Sequence, residues 1–402
     1  MVTAQYNPFA PGVHANPYPM YERLRLESPV HWSEMMEAWV LSRYDDVVFV
    51  LTDPRFSADR RSAQNRFAEY IAQREEDFGP LGRTQTMLTS DPPDHTRLRK
   101  LVSKAFTARA VENLRPRIKG ILDDLLAELR GREQIDLVWD IAYPLPVIVI
   151  AEMLGVPPED RAQFKRWSTD LVATLGGPMV AEDVMQRGRK ASEELGGYFR
   201  GVIAERKRAP REDLISGLIA AEEQGQFLSE DELLATCILL LVAGNETTTN
   251  LIGNGMLALL RHPHELQRLR DDPSLIVSGV EELLRFCGPV HATGRVLKEE
   301  LQIGGQAVKP GQVAFCLLAA ANRDPAKFAE PDRLDLGRQK NEHVAFGDGI
   351  HFCLGAPLAR AEAQIAIGSL LERYPKLELA AAEPEMGGNL IIRGPKNLPV
   401  RV

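Results

Sequence analysis

The sequence predicts a mainly α-helical protein with small β-sheets, an α+β arrangement, on three observations. Apolar residues recur at helical spacing through most of the 402 residues. Runs of β type are few and short. Residues 229–261 keep the helical pattern without a break, and about 33 residues at 1.5 Å each run roughly 50 Å, the width of a domain. Chemically suggestive side chains are scattered from His95 to Cys353, with no repeat, low-complexity tract or linker between them. A single domain over residues 1–402, gathering them around one site, is therefore expected.

The elements follow in order. Residues 19–26 carry the first helical pattern, and the alternating runs 31–33 and 38–42 flank a polar turn. Residues 59–90 are the least patterned, mixing the charged QREED with Gly79, Pro80 and Gly82. They read as a long loop with a short helix, either a functional lid or a plain surface excursion. Helical patterns return at 94–106, 111–131, 157–175, 184–207 and 212–223. The long helix opens on a capping box, Ser229 with Glu232, and stops at His262-Pro263. A further helix is expected at 278–286. Residues 301–303 turn across Gly304-Gly305 toward Val308, and 312–317 follow the Lys309-Pro310-Gly311 turn. The last strong helix is APLARAEAQIAIGSLLERY, directly after Gly355.

Composition narrows the function. The net charge of −8 offers no general basic field to nucleic acid or an anionic membrane. The opening MVTAQYNPFAPGVHANPYP has neither a basic start nor an apolar run. The apolar stretch from Cys237 to Gly244 falls well short of the roughly 18 residues of a membrane span. Cysteines at 237, 287, 316 and 353 show no CxxC spacing and no disulfide framework. A soluble, cytoplasmic monomer is expected, binding neither nucleic acid nor membrane.

Cys353 is the most informative residue. It closes the loop Phe346-Gly347-Asp348-Gly349-Ile350-His351-Phe352-Cys353-Leu354-Gly355, just before a helix. A helix N-terminus favours a thiolate there, and a thiolate is a nucleophile, a zinc ligand or a haem ligand. Gly347 and Gly349 permit tight turns, Gly355 lets backbone approach something large and flat, and Phe346 covers one side. These parts suit an axial ligand beneath a porphyrin better than a nucleophile, which needs a partnered base. A zinc site on His351-x-Cys353 has no second close ligand pair. An inert buried cysteine is the bland alternative.

Three other segments carry candidates. Inside the long helix stand Ala243-Gly244-Asn245-Glu246-Thr247, an acid and hydroxyls that are costly to bury unless paired. Ala243 and Gly244 remove bulk beside them, so a ligand or water could enter and loosen the backbone bonds. A polar kink satisfied by backbone is the competing reading. Glu282 and Arg285 lie three apart on one helical face, a spacing common on any helix. His95 and Arg99 share a face at i, i+4, which in isolation is an exposed basic face.

Together these segments resemble the cytochrome P-450 family, nearly from end to end and in its soluble bacterial class. The match is at Phe346, Gly347, Gly349, His351, Cys353 and Gly355, at Ala243-Gly244-x-Glu246-Thr247, at Glu282-x-x-Arg285, and at the closing stretch 389–400. The resemblance implies the P-450 fold, with haem b between the long central helix and the Cys-loop with its C-terminal helix. Cys353 is then the axial ligand of the haem iron and pushes electron density onto it. Ala243, Gly244, Phe346, Gly347 and Gly355 adjoin the haem, and His95, Arg99, Arg295 and His351 bind its propionates. Glu246 and Thr247 relay protons to dioxygen, while Glu282 and Arg285, with Arg333 as third member, lock the fold. Electrons come from a ferredoxin and its NAD(P)H-dependent reductase, docked on Lys100, Arg109, Arg115 and Arg360 if these are more than solvated helix faces. The implied substrate pocket is lined by Met87, Leu88, the helix pair around Leu171, Leu175 and Met179, Leu240, Ala243, Val290, Ala292, Leu390 and Ile391. It suits an apolar small molecule: macrolide, terpenoid, steroid or fatty acid. The implied reaction inserts one atom of O2 into a C–H or C=C bond. A peroxide-driven hydroxylase is the nearest rival, and the Glu246–Thr247 pair speaks against it. A non-catalytic haem-thiolate sensor is the rival from another class.

Overall fold

A computed structural model gives the structure, which describes residues 6–8, 10–65, 68–69, 72–73, 78, 82–174, 180–222, 224–380 and 383–402. Its axis is a helix of 32 residues, Glu230–Arg261. The expected capping box is formed: Ser229 Oγ accepts from Glu232 N–H at 3.2 Å, and Glu232 Oε2 accepts from Ser229 N–H at 2.8 Å. The helix is buried without a break from Thr248 to Leu259, because its apolar residues surround the axis there instead of forming one stripe. Helices Pro144–Met153, Arg161–Ala173, Ile276–Cys287 and Ala356–Arg373 pack around it. One continuous core, including Ile118, Ile150, Phe164, Leu241, Met256, Leu283 and Ile367, joins them.

His262-Pro263 ends the central helix but not helical structure. Proline lacks only an N–H that a helix start leaves unbonded, so Pro263–Asp271 forms a new helix at once. Helices Tyr44–Thr52 and Pro144–Met153 were also illegible in the apolar pattern. Each is a short run rich in Val and Ile, which a buried strand would share; Leu145, Val147, Val149 and Ile150 are all buried, so tertiary packing decided the helix. The expected helix 157–175 begins as a 3-10 turn, Pro158–Asp160, before the regular helix. Helix Ala108–Glu128 starts three residues earlier than its apolar pattern, where Thr107 Oγ1 caps the Ala110 N–H.

Five short strands form the main sheet, in the spatial order Val30–Ser33, Ala38–Leu41, Val313–Cys316, Thr293–Leu297, Phe56–Ser57. Thr293–Leu297 pairs antiparallel with Val313–Cys316 and so carries Arg295 beside Ala314. The hairpin Leu301–Ile303 with Gln306–Val308 forms as expected. The closing stretch splits between two sheets. Its hairpin pairs Met386–Gly388 with Arg393–Pro395, while Pro399–Arg401 joins Gln134–Asp136 and Glu378–Leu379 in a separate sheet. Gly79, Pro80 and 175–179, which include Leu175 and Met179, lie outside the described residues. Between 59 and 90 the described residues hold a 3-10 turn, Arg60–Ser62, and short helical fragments.

Candidate active site

The Cys-loop is folded by its own backbone. Gly347 N–H donates to Val344 O at 2.9 Å, Phe352 N–H to Gly349 O at 3.1 Å, and Cys353 N–H to Phe346 O at 3.0 Å. Gly349 has φ +67°, and a Cβ there would stand 2.7 Å from Leu51 O, so no other residue fits. At Gly355 a Cβ would stand 3.9 Å from Cys353 Sγ, so glycine leaves the flank of the sulfur open. Helix Ala356–Arg373 follows. Cys353 is exposed, yet protein stands around most of its thiol. That burial pushes the thiol up, while the Gly355 and Ala356 N–H groups, Arg99 and Arg360 pull it down. The net direction is upward, which corrects the expectation that the helix start alone favours a thiolate: desolvation of the charge outweighs these stabilising neighbours.

A set of nitrogen donors gathers beside the cysteine. The His95 and His351 rings lie 4.3 Å apart between centroids. His95 Nε2 is buried and has no hydrogen-bond partner among the described residues. Arg99 spends one nitrogen on Phe352 O at 2.7 Å, and Arg295 spends Nη1 on Gly294 O at 2.9 Å and Thr293 Oγ1 at 3.3 Å. Burial, then Arg295 and His95, push His351 down to about 4. Burial, with Arg99 and Arg295, likewise lowers His95. Burial also draws the Arg295 guanidinium below its ordinary value. An orphaned ring nitrogen on His95 and a buried Arg295 bonded only to a carbonyl and a hydroxyl suit an anion. A group carrying two carboxylates and an iron, set beside an accessible cysteine sulfur, fits this donor set.

The central helix offers its accessible face between buried stretches. Ala243 is exposed, and Leu240, Gly244, Glu246 and Thr247 are half-exposed. A Cβ at Gly244 would meet only Ile150 Cγ1, at 3.9 Å. The helix runs unbroken through 243–247, and Thr247 Oγ1 donates to Ala243 O at 2.7 Å, satisfying its hydroxyl on the backbone. Burial raises the Glu246 carboxyl, and its bond from Asn250 Nδ2 is long at 3.5 Å. Asn245 is turned away, donating to Ser168 Oγ at 3.0 Å and tying the helix to Arg161–Ala173.

Glu282 and Arg285 form a fully desolvated pair, with side chains 0% exposed. Arg285 Nε and Nη2 each meet Glu282 at 2.8 Å, and the remaining donors take Asn322 O, Pro331 O and Arg333 O. The expectation of Arg333 as third member is corrected. Its side chain points to solvent and pairs with Glu330 at 2.9 Å; only its carbonyl joins the network. Arg338 supplies the third guanidinium, with Nε at 3.1 and 3.0 Å from the two Glu282 oxygens. Nothing in local spacing marks Arg338, because its 56-residue separation from Glu282 closes only through the loop whose Asp335 N–H also bonds Glu282.

The pocket residues divide. Leu88 and Ala243 are exposed, and Met87, Leu240, Val290, Leu390 and Ile391 are half-exposed. Leu171 is buried in the main core and Ala292 in a smaller core with Tyr21 and Phe315, so neither presents a pocket surface. Leu175 lies outside the described residues. Among the docking cations, Lys100 is exposed and partnered, Arg109 is exposed, Arg115 bonds Glu112 and Gln364, and Arg360 bonds Glu281. Cleft size does not locate the chemistry, since a cleft of about 880 Å3 lies around Tyr18, Arg25, His262, Phe286 and Arg323, away from Cys353.

An accessible cysteine at a helix start, histidine and arginine donors beside it, and an acid–threonine segment on the buried helix make the frame of a haem-thiolate oxygenase. Comparison with known proteins agrees. The cytochrome P-450 family pattern matches residues 31–400, and the chain belongs to that family. It is 46% identical over 369 residues to cytochrome P-450 CYP107DY1 of Priestia megaterium, covering 90% of this chain and 89% of that one. It is 41% identical to the polyketide biosynthesis cytochrome P-450 PksS of Bacillus subtilis, covering 100% and 99%. The solved structure of PksS superposes with a TM-score of 0.91 over 99% of both chains. The structure of P-450 BioI with an acyl-chain-loaded acyl carrier protein reaches 0.90 at 38% identity, covering 98% of this chain and 100% of that one. The protein is a cytochrome P-450 monooxygenase, and its cofactor is haem b.

Proposed function

We propose that the chain is one domain over residues 1–402 that oxidises an apolar small molecule in the cytoplasm, with electrons from a ferredoxin and its NAD(P)H-dependent reductase. The carrying observation is the convergence on Cys353: an accessible thiol, an orphaned His95 Nε2 and two histidine rings 4.3 Å apart, with Arg99 and Arg295 acting on them. In this reading Cys353 would hold the haem iron through its sulfur, and Phe346, Gly347 and Gly355 shape its loop. His95, Arg99, Arg295 and His351 would hold the two propionates, and Ala243 and Gly244 would leave room beside the haem. Bound haem supplies the oxygen-splitting chemistry, and the protein supplies position, protons and exclusion of water. Glu246, raised by burial, is readier to carry a proton than a solvated acid. Thr247, anchored on Ala243 O, stands next to it to receive that proton and pass it on.

Accessible apolar side chains at Met87, Leu88, Leu240, Val290, Leu390 and Ile391 support an apolar substrate. Similar proteins act on or hold such molecules: one solved relative, CYP267B1, is in complex with myristic acid, and another, CYP109E1, with testosterone. Lys100 and Arg109 are exposed and would face an acidic ferredoxin. Among the described residues no helix is long and apolar enough to cross a membrane.

Cys353→Ala tests the reading. The reduced, carbon-monoxide-bound variant should lose the red-shifted spectrum of a thiolate-ligated haem, and product formation with it. A variant that keeps that spectrum overturns the assignment of Cys353.

A further inference from the structure

We propose that Glu281, His343 and Arg360 form a positioning clamp on Phe346, and that Phe346 in turn holds the Cys353 backbone where its sulfur can ligate iron. The inference rests on the reading of Cys353 as that ligand.

Glu281 precedes Glu282 on helix Ile276–Cys287, so it points about 100° away from the buried lock and toward the Cys-loop. Arg360 lies on the helix that follows Cys353 and grips Glu281 with a fork: Nε to Oε1 at 2.7 Å and Nη2 to Oε2 at 2.8 Å. His343 Nε2 meets Glu281 Oε2 at 3.2 Å, and His343 Nδ1 accepts the Ala345 N–H at 3.2 Å. That second bond places the ring proton on Nε2, facing the carboxylate. The Arg360 guanidinium lies 4.7 Å from the Phe346 ring centroid, and the His343 ring lies 6.1 Å from it. Phe346 O accepts the Cys353 N–H at 3.0 Å. His343 and Arg360, both held by Glu281, therefore meet on one aromatic ring, and the backbone of that residue is one hydrogen bond from the cysteine.

Three features separate this from a surface ion pair. Glu281 is gripped by two partners: burial raises its carboxyl, but the bonds from His343 and Arg360 outweigh it and hold it down to about 2. The His343 side chain is 3% exposed. Arg360 spends its fork inside the protein, so its shape matters as well as its charge.

The test uses haem-loaded Arg360→Lys and Glu281→Gln proteins beside the wild type. It compares the carbon-monoxide spectrum, the rate of haem transfer to an excess apo-globin, and ferredoxin affinity. Lysine keeps the charge but not the fork or the stacking plane. Partners that orient a metal ligand are worth roughly 10–100-fold in metal affinity. Both variants should transfer haem about tenfold faster and lose part of the red-shifted band. If Glu281→Gln does not fold, Arg360→Lys carries the test alone. Wild-type spectra and transfer rates in Arg360→Lys, or a defect confined to ferredoxin binding, overturn the clamp. A wild type without the red-shifted band would instead sink the Cys353 reading itself.

Discussion

The cysteine side and the opposite face of the central helix are built on opposite plans. On the cysteine side Glu282 accepts from Arg285, Arg338, Asn341 and the Asp335 N–H, and its neighbour Glu281 from His343 and Arg360. Across the helix, Glu246 has one long bond and Thr247 folds its hydroxyl onto its own backbone. A buried carboxylate held by several donors has one low-energy arrangement and keeps its surroundings still. A sparse face leaves groups that can change partners, as proton transfer and substrate entry require. Fixity and freedom are thus assigned to separate faces.

The contrast can be broken most severely at its rigid end. Arg285→Ala takes the bidentate partner from buried Glu282, leaving it to Arg338, Asn341 and the Asp335 N–H, and frees three carbonyls; removing one partner of a buried pair costs about 3–5 kcal/mol. Little folded haem protein should be recovered, as purification yield and urea unfolding would show; near-normal stability would mean that the network is not what holds this side. At the free end, Thr247→Ala should leave the fold alone and send reducing equivalents to peroxide. Product per NAD(P)H should fall, by up to the roughly 100-fold that a positioned proton donor contributes. Unchanged coupling would remove Thr247 from the relay.

Smaller effects sharpen the same boundary. Arg338→Ala should cost about 2 kcal/mol, the range for hydrogen bonds to a charged group, whereas Arg333→Ala should cost less than about 1 kcal/mol, as exposed pairs do. Equal losses in denaturant titrations would restore Arg333 as the third member. Glu362 lies between the two faces, 1% exposed on the C-terminal helix. Burial raises its carboxyl from 4.5 to about 8, against the pull of the Thr248 hydroxyl. The folded protein therefore keeps a proton there that the unfolded chain releases above about pH 4.5. The resulting stability is complete below that value and is lost as pH rises toward 8. Glutamine has no such proton to lose, so between pH 6 and pH 9 the wild type should lose about 3 kcal/mol more than Glu362→Gln. Parallel stability curves for the two proteins would show that folding does not raise the Glu362 carboxyl.

What could be read in advance follows from the range of each interaction. The Ser229–Glu232 capping box, the stop at His262 and the glycine turns of the Cys-loop act within a few residues, so composition and spacing expose them. The short helices Tyr44–Thr52 and Pro144–Met153 could not be read, because a buried apolar run suits helix or strand until its neighbours are known. Leu171 and Ala292 looked like pocket residues for the same reason: an apolar side chain carries no mark that separates core from cavity wall.

The sequence by itself determined the helical class, the long central helix, and which residue types stand ready for iron, propionate and proton transfer. Those are local properties of spacing and chemistry. Only the tertiary structure decided that Arg338 and not Arg333 completes the lock, that Arg360 turns inward onto Glu281, and that burial outweighs the helix start at the Cys353 thiol. Each of these depends on which distant groups share one desolvated space, and desolvation is set by the packed chain as a whole.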